Sequence, residues 1–158
     1  MTTHAPIDIV TYRDEYAPAF DRLNRAWLVS GNFLEAADEV YLAAPRARII
    51  EPGGEIFFAL HDDAVIGTAA AIPHGAGVYE LGKLAVDPSS QGRGLGRMLT
   101  NAVIEYARTH NARCVVLTSS TRLTVALALY RSLGFQERPC PPGFGYETAD
   151  VYMELALG

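Results

Sequence analysis

The sequence predicts a single domain of the mixed α/β class, with helices packed against a mostly antiparallel sheet. The chain has 158 residues, which is the size of one domain, and no linker, repeat or low-complexity tract divides residues 1–158. Three strand patterns in mid-chain are joined by short links, which are typical of antiparallel neighbours. A strand, a glycine-rich loop, a helix and another strand then follow, and this order predicts a right-handed parallel crossover.

The first part of the chain predicts one short strand and two helices. The strand covers residues 7–11. The second helix covers 35–44, and Pro45 stops it. A Gly31-Asn32 break separates it from the first helix. That first helix, over 13–30, is predicted from four apolar residues at helical spacing: Tyr16, Phe20, Leu23 and Trp27.

The rest of the chain alternates strand signals with two more helical patterns. A turn at 51–54 precedes the first of these strands. Gly134 fits the left-handed position that ends the last helix. Six strands are predicted, over 55–61, 64–73, 78–86, 113–118, 134–138 and 149–157, with helices over 95–109 and 123–133. The whole chain therefore predicts about seven strands and about four helices.

Composition is that of a globular protein, and the charge is unevenly distributed. Hydrophobic residues make up 49% and charged residues 20% of the chain. The net charge of −5 argues against a nucleic-acid partner, because such proteins usually carry a basic excess. Residues 1–80 carry a net charge of −7 and residues 81–158 a net charge of +2. This split is either chance clustering or a sign that the second half faces an anion.

The sequence does not predict a membrane protein, a secreted protein or a metalloprotein. No apolar run approaches the roughly 18 residues of a membrane helix, and the first ten residues lack the pattern of a signal peptide. Cys114 and Cys140 lie 26 positions apart and lack metal-ligand spacing. Two free thiols in a reducing compartment are favoured over a disulfide or a catalytic thiol, so we expect a cytoplasmic protein without a metal.

A glycine-rich loop after the third mid-chain strand predicts an anion site. Glycines at positions 92, 94 and 96 let the backbone approach a ligand closely. The following helix start offers unpaired N–H groups and a partial positive charge, and Arg93 and Arg97 flank it. A Walker loop needs GxxxxGK[ST] and a dinucleotide loop needs GxGxxG, and neither string is present. The loop therefore suits a pyrophosphate, although glycines alone would indicate only a turn.

Three motifs resemble the GNAT superfamily of N-acetyltransferases. The resemblance extends over nearly the whole chain, because the order of strands and helices matches too. It implies a sheet that splays apart between the fourth and fifth strands, where the pantetheine arm of acetyl-CoA lies. The motifs are Gln91-x-x-Gly94-x-Gly96 after Leu84-x-Val86-x-Pro88, the stretch from Glu80 to Val86, and the Ala126-x-x-Leu129-Tyr130-x-x-x-Gly134-Phe135 helix and turn.

The resemblance also implies which residues bind acetyl-CoA. Backbone groups of the fourth strand would bond the pantetheine arm, and one N–H could polarise the thioester carbonyl. Ser120 is the nearest counterpart of an asparagine that many members carry, with a helix N-cap as the alternative role. The implied cofactor residues are Leu84, Ala85, Val86, Gln91, Gly92, Arg93, Gly94, Leu95, Gly96, Arg97 and Ser120.

Glu80 and Tyr130 are the implied catalytic pair. An amine is protonated at neutral pH and cannot attack until a base removes a proton. Glu80 occupies a position that often supplies this base, and its alternative is a surface carboxylate paired with Lys83 or an arginine. Regular alternation would put Glu80, Gly82, Leu84 and Val86 on one side of the strand unless a bulge intervenes. Tyr130 matches the usual acid that protonates the thiolate, with core packing as its alternative.

The sequence indicates less about the acceptor-binding site than about the cofactor-binding site. Trp27, Phe33 and Tyr146 are candidate acceptor-binding residues, although Trp27 also fits the core. His74 is expected in a hairpin turn with its imidazole in solvent. The resemblance implies transfer to a primary amine of a small or amino-acid-like molecule, directly within a ternary complex. A protein or peptide acceptor, and a non-catalytic acyl-CoA-binding module, remain the alternatives. A homodimer is also implied.

Overall fold

A computed structural model of the chain describes residues 6–142, 144 and 147–158. This part forms seven strands and four α-helices. The strands are β1 Asp8–Thr11, β2 Glu55–His61, β3 Ala64–Gly75, β4 Val78–Val86, β5 Cys114–Ser119, β6 Gln136–Glu137 and β7 Val151–Ala156. The helices are α1 Ala17–Ser30, α2 Ala36–Ala43, α3 Leu95–Thr109 and α4 Thr124–Ser132.

The strands form one mixed sheet in the order β1-β2-β3-β4-β5-β7-β6. Within the described residues, every neighbouring pair is antiparallel except β4 and β5, which run parallel. The helix α3 provides the crossover between these two strands. The predicted mixed, mostly antiparallel α/β fold is confirmed.

Both faces of the sheet are buried, and β2 contributes to both because its successive side chains point to opposite sides. Ile56 and Phe58 pack with Phe20 of α1 in one cluster. Phe57 and Ala59 belong to the larger cluster on the other face. Helical spacing predicted Leu95, Leu99, Ala102, Val103 and Tyr106 on one face of α3. The buried α3 members of this cluster are Leu95, Leu99, Val103, Ile104 and Ala107, and Ala102 and Tyr106 pack against it.

Most predicted elements are present, with differences at their ends. The limits of β2, β4 and α3 match the prediction. The first helix begins at Ala17, after a separate 3₁₀ turn at Asp14–Tyr16. The strand predicted over 134–138 shrinks to two residues. A π-helical turn, Arg46–Ile50, was not predicted.

The described part of the chain shows neither a membrane-spanning helix nor a metal-binding cluster. None of its helices is both long and apolar enough to cross a membrane, and none of its His, Cys, Asp and Glu side chains form a group of three that could hold a metal ion. Both cysteines are free, Cys114 buried and Cys140 exposed, which confirms the prediction of two thiols.

Candidate functional site

A cleft of about 760 Å³ opens where β4 and β5 separate. The two strands pair at three positions, which end at Glu80 on β4 and Val116 on β5. Beyond them β4 continues to Val86 and β5 to Ser119 without pairing to each other, and both segments line the cleft. The predicted splay between the fourth and fifth strands is therefore confirmed.

The cleft wall contains a β-bulge at Lys83. Lys83 and Leu84 lie opposite the single residue Ala69 of β3, because the register shifts there. The φ of Lys83 is +53°, in the left-handed region that a lysine rarely adopts. Such a bulge bends the strand and redirects the side chains that follow.

The bulge overturns the expectation that Glu80, Gly82, Leu84 and Val86 share one side of β4. A Cβ placed on Gly82 would meet Ile72 and Glu80, and Ile72 belongs to the core on the α1 face. Leu84 and Val86 pack instead against the core on the α3 face. The extra residue therefore reverses the alternation between Gly82 and Leu84.

The glycine-rich loop meets the cleft at the start of α3. Gly94 precedes the helix with a φ of +77°, which glycine adopts without strain. The backbone N–H groups of residues 92–97 form no hydrogen bond within the described part of the chain. These unpaired donors, the first-turn N–H groups of α3 among them, lie where the sequence predicts an anion site.

Ten of the eleven predicted cofactor residues line the cleft, and Arg93 does not. The Arg93 guanidinium lies 3.4 Å from His61 Nδ1. Arg97 does line the cleft, and its Nη2 donates to Ser132 Oγ of α4 at 2.9 Å. Of the two predicted arginines, Arg97 in the first turn of α3 is therefore the one at the cleft. The ten residues are Leu84, Ala85, Val86, Gln91, Gly92, Gly94, Leu95, Gly96, Arg97 and Ser120.

Ser120 does not cap α4, so its predicted N-cap role is wrong. The helix begins at Thr124, and Leu123 at its cap position provides no side-chain hydrogen bond. Ser120 Oγ instead accepts the backbone N–H of Arg122 at 3.2 Å. Ser120 is buried, and it stabilises the turn that leads into α4.

Glu80 is buried in the cleft wall and pairs with a histidine. Its side chain is 10% exposed, and its Oε1 lies 2.6 Å from His74 Nε2. The alternative of a surface carboxylate paired with Lys83 is wrong, because Lys83 pairs with Asp38. The expectation of a His74 imidazole simply in solvent is also wrong, since its side chain is only 31% exposed and bonded to Glu80.

A buried ion pair connects the bulge to α2. Lys83 Nζ lies 2.5 Å from Asp38 Oδ1, with the two side chains 6% and 4% exposed. Asp38 Oδ2 also accepts the backbone N–H of Glu35 at 2.8 Å, and the Glu35 carboxylate binds the backbone N–H groups of residues 147 and 148. This network joins β4, α2 and the segment before β7 around the cleft.

Tyr130 lies on α4 with its side chain at the cleft. It is 8% exposed, and its ring packs edge-on against Phe135 with centroids 5.9 Å apart. Its hydroxyl forms no hydrogen bond with the residues that the structure describes, and burial raises the pKa of Tyr130 to about 12. The hydroxyl therefore keeps its proton throughout the neutral range.

Two aromatic candidates line the cleft, one on α1 and one in the link between α1 and α2. Trp27 and Phe33 both contribute to its wall, and their ring centroids lie 5.7 Å apart. The Arg122 guanidinium lies 4.6 Å from the Phe33 ring centroid, and its Nη2 donates to the Gly31 carbonyl. The third candidate, Tyr146, lies outside the described residues.

Sequence reasoning missed several polar residues of this wall, of which Asn24 could have been found. Asn24 is completely buried, its Nδ2 donates to the Phe20 carbonyl at 2.9 Å, and its Oδ1 has no partner in the described chain. It lies four residues after Phe20, on the apolar stripe of α1, where an amide is unusual. Asp38 and Arg122 have no comparable local signal.

The comparison with known families identifies the fold. A sequence model described as the Acetyltransferase (GNAT) family matches residues 12–135. The chain belongs to this family. The family that the motifs implied is thereby shown.

Several GNAT relatives and structures are similar to this chain. N-acetylaspartate synthetase of Rattus norvegicus is 34% identical over 66% of this chain and 36% of its own length. N-alpha-acetyltransferase RimI of Mycobacterium tuberculosis is 47% identical over 37% of this chain and 35% of its own. The chain spans about a third of these relatives. A Salmonella typhimurium protein solved with its cofactor acetyl-CoA aligns over 98% of this chain and 95% of its own, with a TM-score of 0.78 and 23% identity.

Proposed function

We propose that this GNAT domain, residues 1–158, transfers an acetyl group from acetyl-CoA to a primary amine of a small or amino-acid-like acceptor. The observation that supports it most is the cleft between β4 and β5. One end of this cleft offers unpaired backbone N–H groups, and its wall holds a buried carboxylate and a protonated tyrosine. A direct transfer needs these groups and two adjoining binding sites in one cavity.

The residues present fit acetyl-CoA. The N–H groups of residues 92–97 and the Arg97 guanidinium would hold the pyrophosphate. Added Cβ atoms on Gly92 and Gly94 would meet nothing within 4 Å, so the loop leaves open space for such a group. Acetyl-CoA supplies an activated thioester. Unpaired backbone groups of β4 beyond Glu80 would hold its pantetheine arm in the manner of an added strand.

Glu80 and Tyr130 manage the protons of the transfer. Glu80 Oε1 bonds His74, and its Oε2 bonds no residue in the described chain. Oε2 would take the proton that the acceptor's ammonium group must lose. The Tyr130 hydroxyl, whose pKa burial raises to about 12, would donate its hydrogen to the departing thiolate and regain a proton when the attacking nitrogen loses its second one.

The charge at the cleft favours an acceptor that carries a carboxylate. Arg122 lines the cleft and forms no ion pair with the described residues. An acceptor with its amine toward Glu80 and its carboxylate toward Arg122 would use both charges. The relative named N-acetylaspartate synthetase supports this class of acceptor. The relative named N-alpha-acetyltransferase supports the second candidate, a protein or peptide amine.

The cysteines bear on the compartment in which the protein works. The two free cysteines, Cys114 and Cys140, suit a reducing compartment, and we assign the protein to the cytoplasm. The homodimer implied by the resemblance stays a prediction, which light scattering during size-exclusion chromatography would test.

Thermal melting and a CoA-release assay test the proposal together. Acetyl-CoA at saturating concentration should raise the melting temperature, because it binds the folded state. Glu80→Gln should keep that shift while CoA release slows by about a hundredfold. An absent shift would refute the assignment of acetyl-CoA to the cleft. A shift without turnover on any amine, amino acid or peptide would identify a non-catalytic acyl-CoA-binding module.

A further inference from the structure

We infer that His74 positions Glu80 for catalysis by binding one carboxylate oxygen and leaving the other for the acceptor amine. This inference rests on the proposed role of Glu80 as the base. His74 does not line the cleft, so it acts through Glu80 and does not touch the acceptor.

A second bulge places the imidazole beside Glu80. In the β3–β4 pair, Pro73 faces Tyr79 and Gly75 faces Val78, so His74 is an extra residue without a partner. A bulged residue leaves the regular alternation of its strand, and its side chain can be redirected. The His74 ring also packs on Phe144, with centroids 4.9 Å apart, which restricts its orientation.

The hydrogen bond assigns different roles to the two oxygens of Glu80. A carboxylate can only accept, so at 2.6 Å from Oε1 the Nε2 atom of His74 must carry the proton. Oε2 lies beside Gly82, at 3.6 Å from a Cβ that residue 82 would carry, and Gly82 lines the cleft. The bond to His74 thus restrains the carboxylate and leaves its second oxygen without a partner in the described chain, and Glu80 itself lines the cleft.

This arrangement gives the carboxylate of Glu80 a hydrogen-bond donor. A hydrogen bond donated to a carboxylate favours its charged form, whereas burial disfavours it. During the reaction Oε2 accepts one proton from the ammonium group, and Glu80 becomes a neutral carboxyl while Oε1 still accepts from His74. The proton passes to water before the next turnover, and the partly exposed imidazole retains its own.

His74 of β3 is hydrogen-bonded to Glu80, and the charge of Glu80 acts on Tyr41 of α2. Lys83 lies three residues further along β4. Burial, and then the charge of Glu80, raises the pKa of Tyr41, so that phenol stays neutral. Lys83 is paired with Asp38. His74 is therefore the neighbour whose replacement most directly affects Glu80, because it is the residue hydrogen-bonded to the Glu80 side chain in the described part of the chain.

Substitution of His74 by leucine and by glutamine tests the inference. His74→Leu removes the donor, and we expect kcat at pH 7 to fall at least tenfold with the Kd for acetyl-CoA unchanged. The acidic limb of the pH–rate profile should move to higher pH, because the charged carboxylate has lost a donor. His74→Gln retains an N–H donor and should recover most of the rate. The control is His110→Leu, which removes an exposed imidazole stacked on Tyr106, away from the cleft.

The Glu80→Gln variant separates this inference from the proposed function. In that background His74→Leu should cause no further loss, because the two residues act as one unit. A wild-type rate and pH profile for His74→Leu, with Glu80→Gln impaired, would overturn the positioning role alone. A full rate for Glu80→Gln would overturn the base assignment itself. Equal loss in His74→Leu and His74→Gln, with normal melting and acetyl-CoA binding, would also contradict the hydrogen-bond role.

Discussion

The Lys83–Asp38 pair predicts a large loss of stability when its negative charge is removed. Both side chains are almost fully buried and their charged atoms lie 2.5 Å apart. Asp38→Asn keeps the shape of the side chain and an oxygen that can still accept the N–H of Glu35. The substitution therefore tests mainly the charge that faces Lys83.

The size of the effect follows from the burial of the pair. Removing one partner of a buried ion pair costs about 3–5 kcal/mol, and we take about 3 kcal/mol because the amide oxygen can still accept a hydrogen bond. For a chain of 158 residues, 1 kcal/mol shifts the melting temperature by roughly 2–4 °C. We therefore expect Asp38→Asn to melt about 6–12 °C below the wild type.

Thermal melting at neutral pH measures this difference, with Glu15→Gln as the matched control. Glu15 pairs with Arg13 at 3.1 Å, but the two side chains are 61% and 70% exposed. An exposed pair contributes about 0–1 kcal/mol, so the control should melt close to the wild type. Equal melting temperatures for Asp38→Asn and Glu15→Gln would refute the claim that the buried pair stabilises the cleft wall.

Further predictions concern Tyr130 and Arg97. Tyr130→Phe should lower kcat at least tenfold and leave the Kd for acetyl-CoA unchanged in calorimetry; an unchanged rate, with chemistry rate-limiting, would remove Tyr130 from the acid role. Burial raises the pKa of Tyr130 to about 12 from its ordinary value of 10.0. The folded state therefore keeps this proton up to a higher pH than the unfolded state does. The stabilisation is full below pH 10 and disappears as the pH rises through about 12, so the wild type should lose about 3 kcal/mol more than Tyr130→Phe over that interval in denaturant titrations. Arg97→Ala should weaken acetyl-CoA binding about tenfold, whereas Arg108→Ala, near the other end of α3, should not; equal affinities in the two variants would contradict the pyrophosphate site.

Local signals were enough to predict most of the fold. The apolar spacing of α3 and the turns that flank β2 and β4 are encoded within each segment, and the glycine-rich loop carries its own signature. The π-helical turn Arg46–Ile50 has no such signal in its own sequence. Its residue Ile49 is completely buried, so the turn is packed against the rest of the chain. β6 is short because its length is decided by pairing with β7.

The sequence predicted the residues of the candidate site better than it predicted the contacts between them. Glu80 and Tyr130 both line the cleft, as their motifs implied. The partners of the buried charges were missed, because Lys83 and Asp38 lie 45 positions apart and no local pattern joins them. The His74–Glu80 bond spans only six positions. It depends on a β-bulge at His74, and the residue type at that position does not predict a bulge.

Steady-state CoA release over a panel of primary amines, amino acids and peptides tests the central claim most directly. We expect acetyl-CoA-dependent turnover with at least one small amine, strongest for acceptors that carry a carboxylate. That turnover should fall about a hundredfold in Glu80→Gln without loss of acetyl-CoA binding. Turnover confined to peptides would contradict the acceptor class, and an undiminished rate in Glu80→Gln would contradict the mechanism.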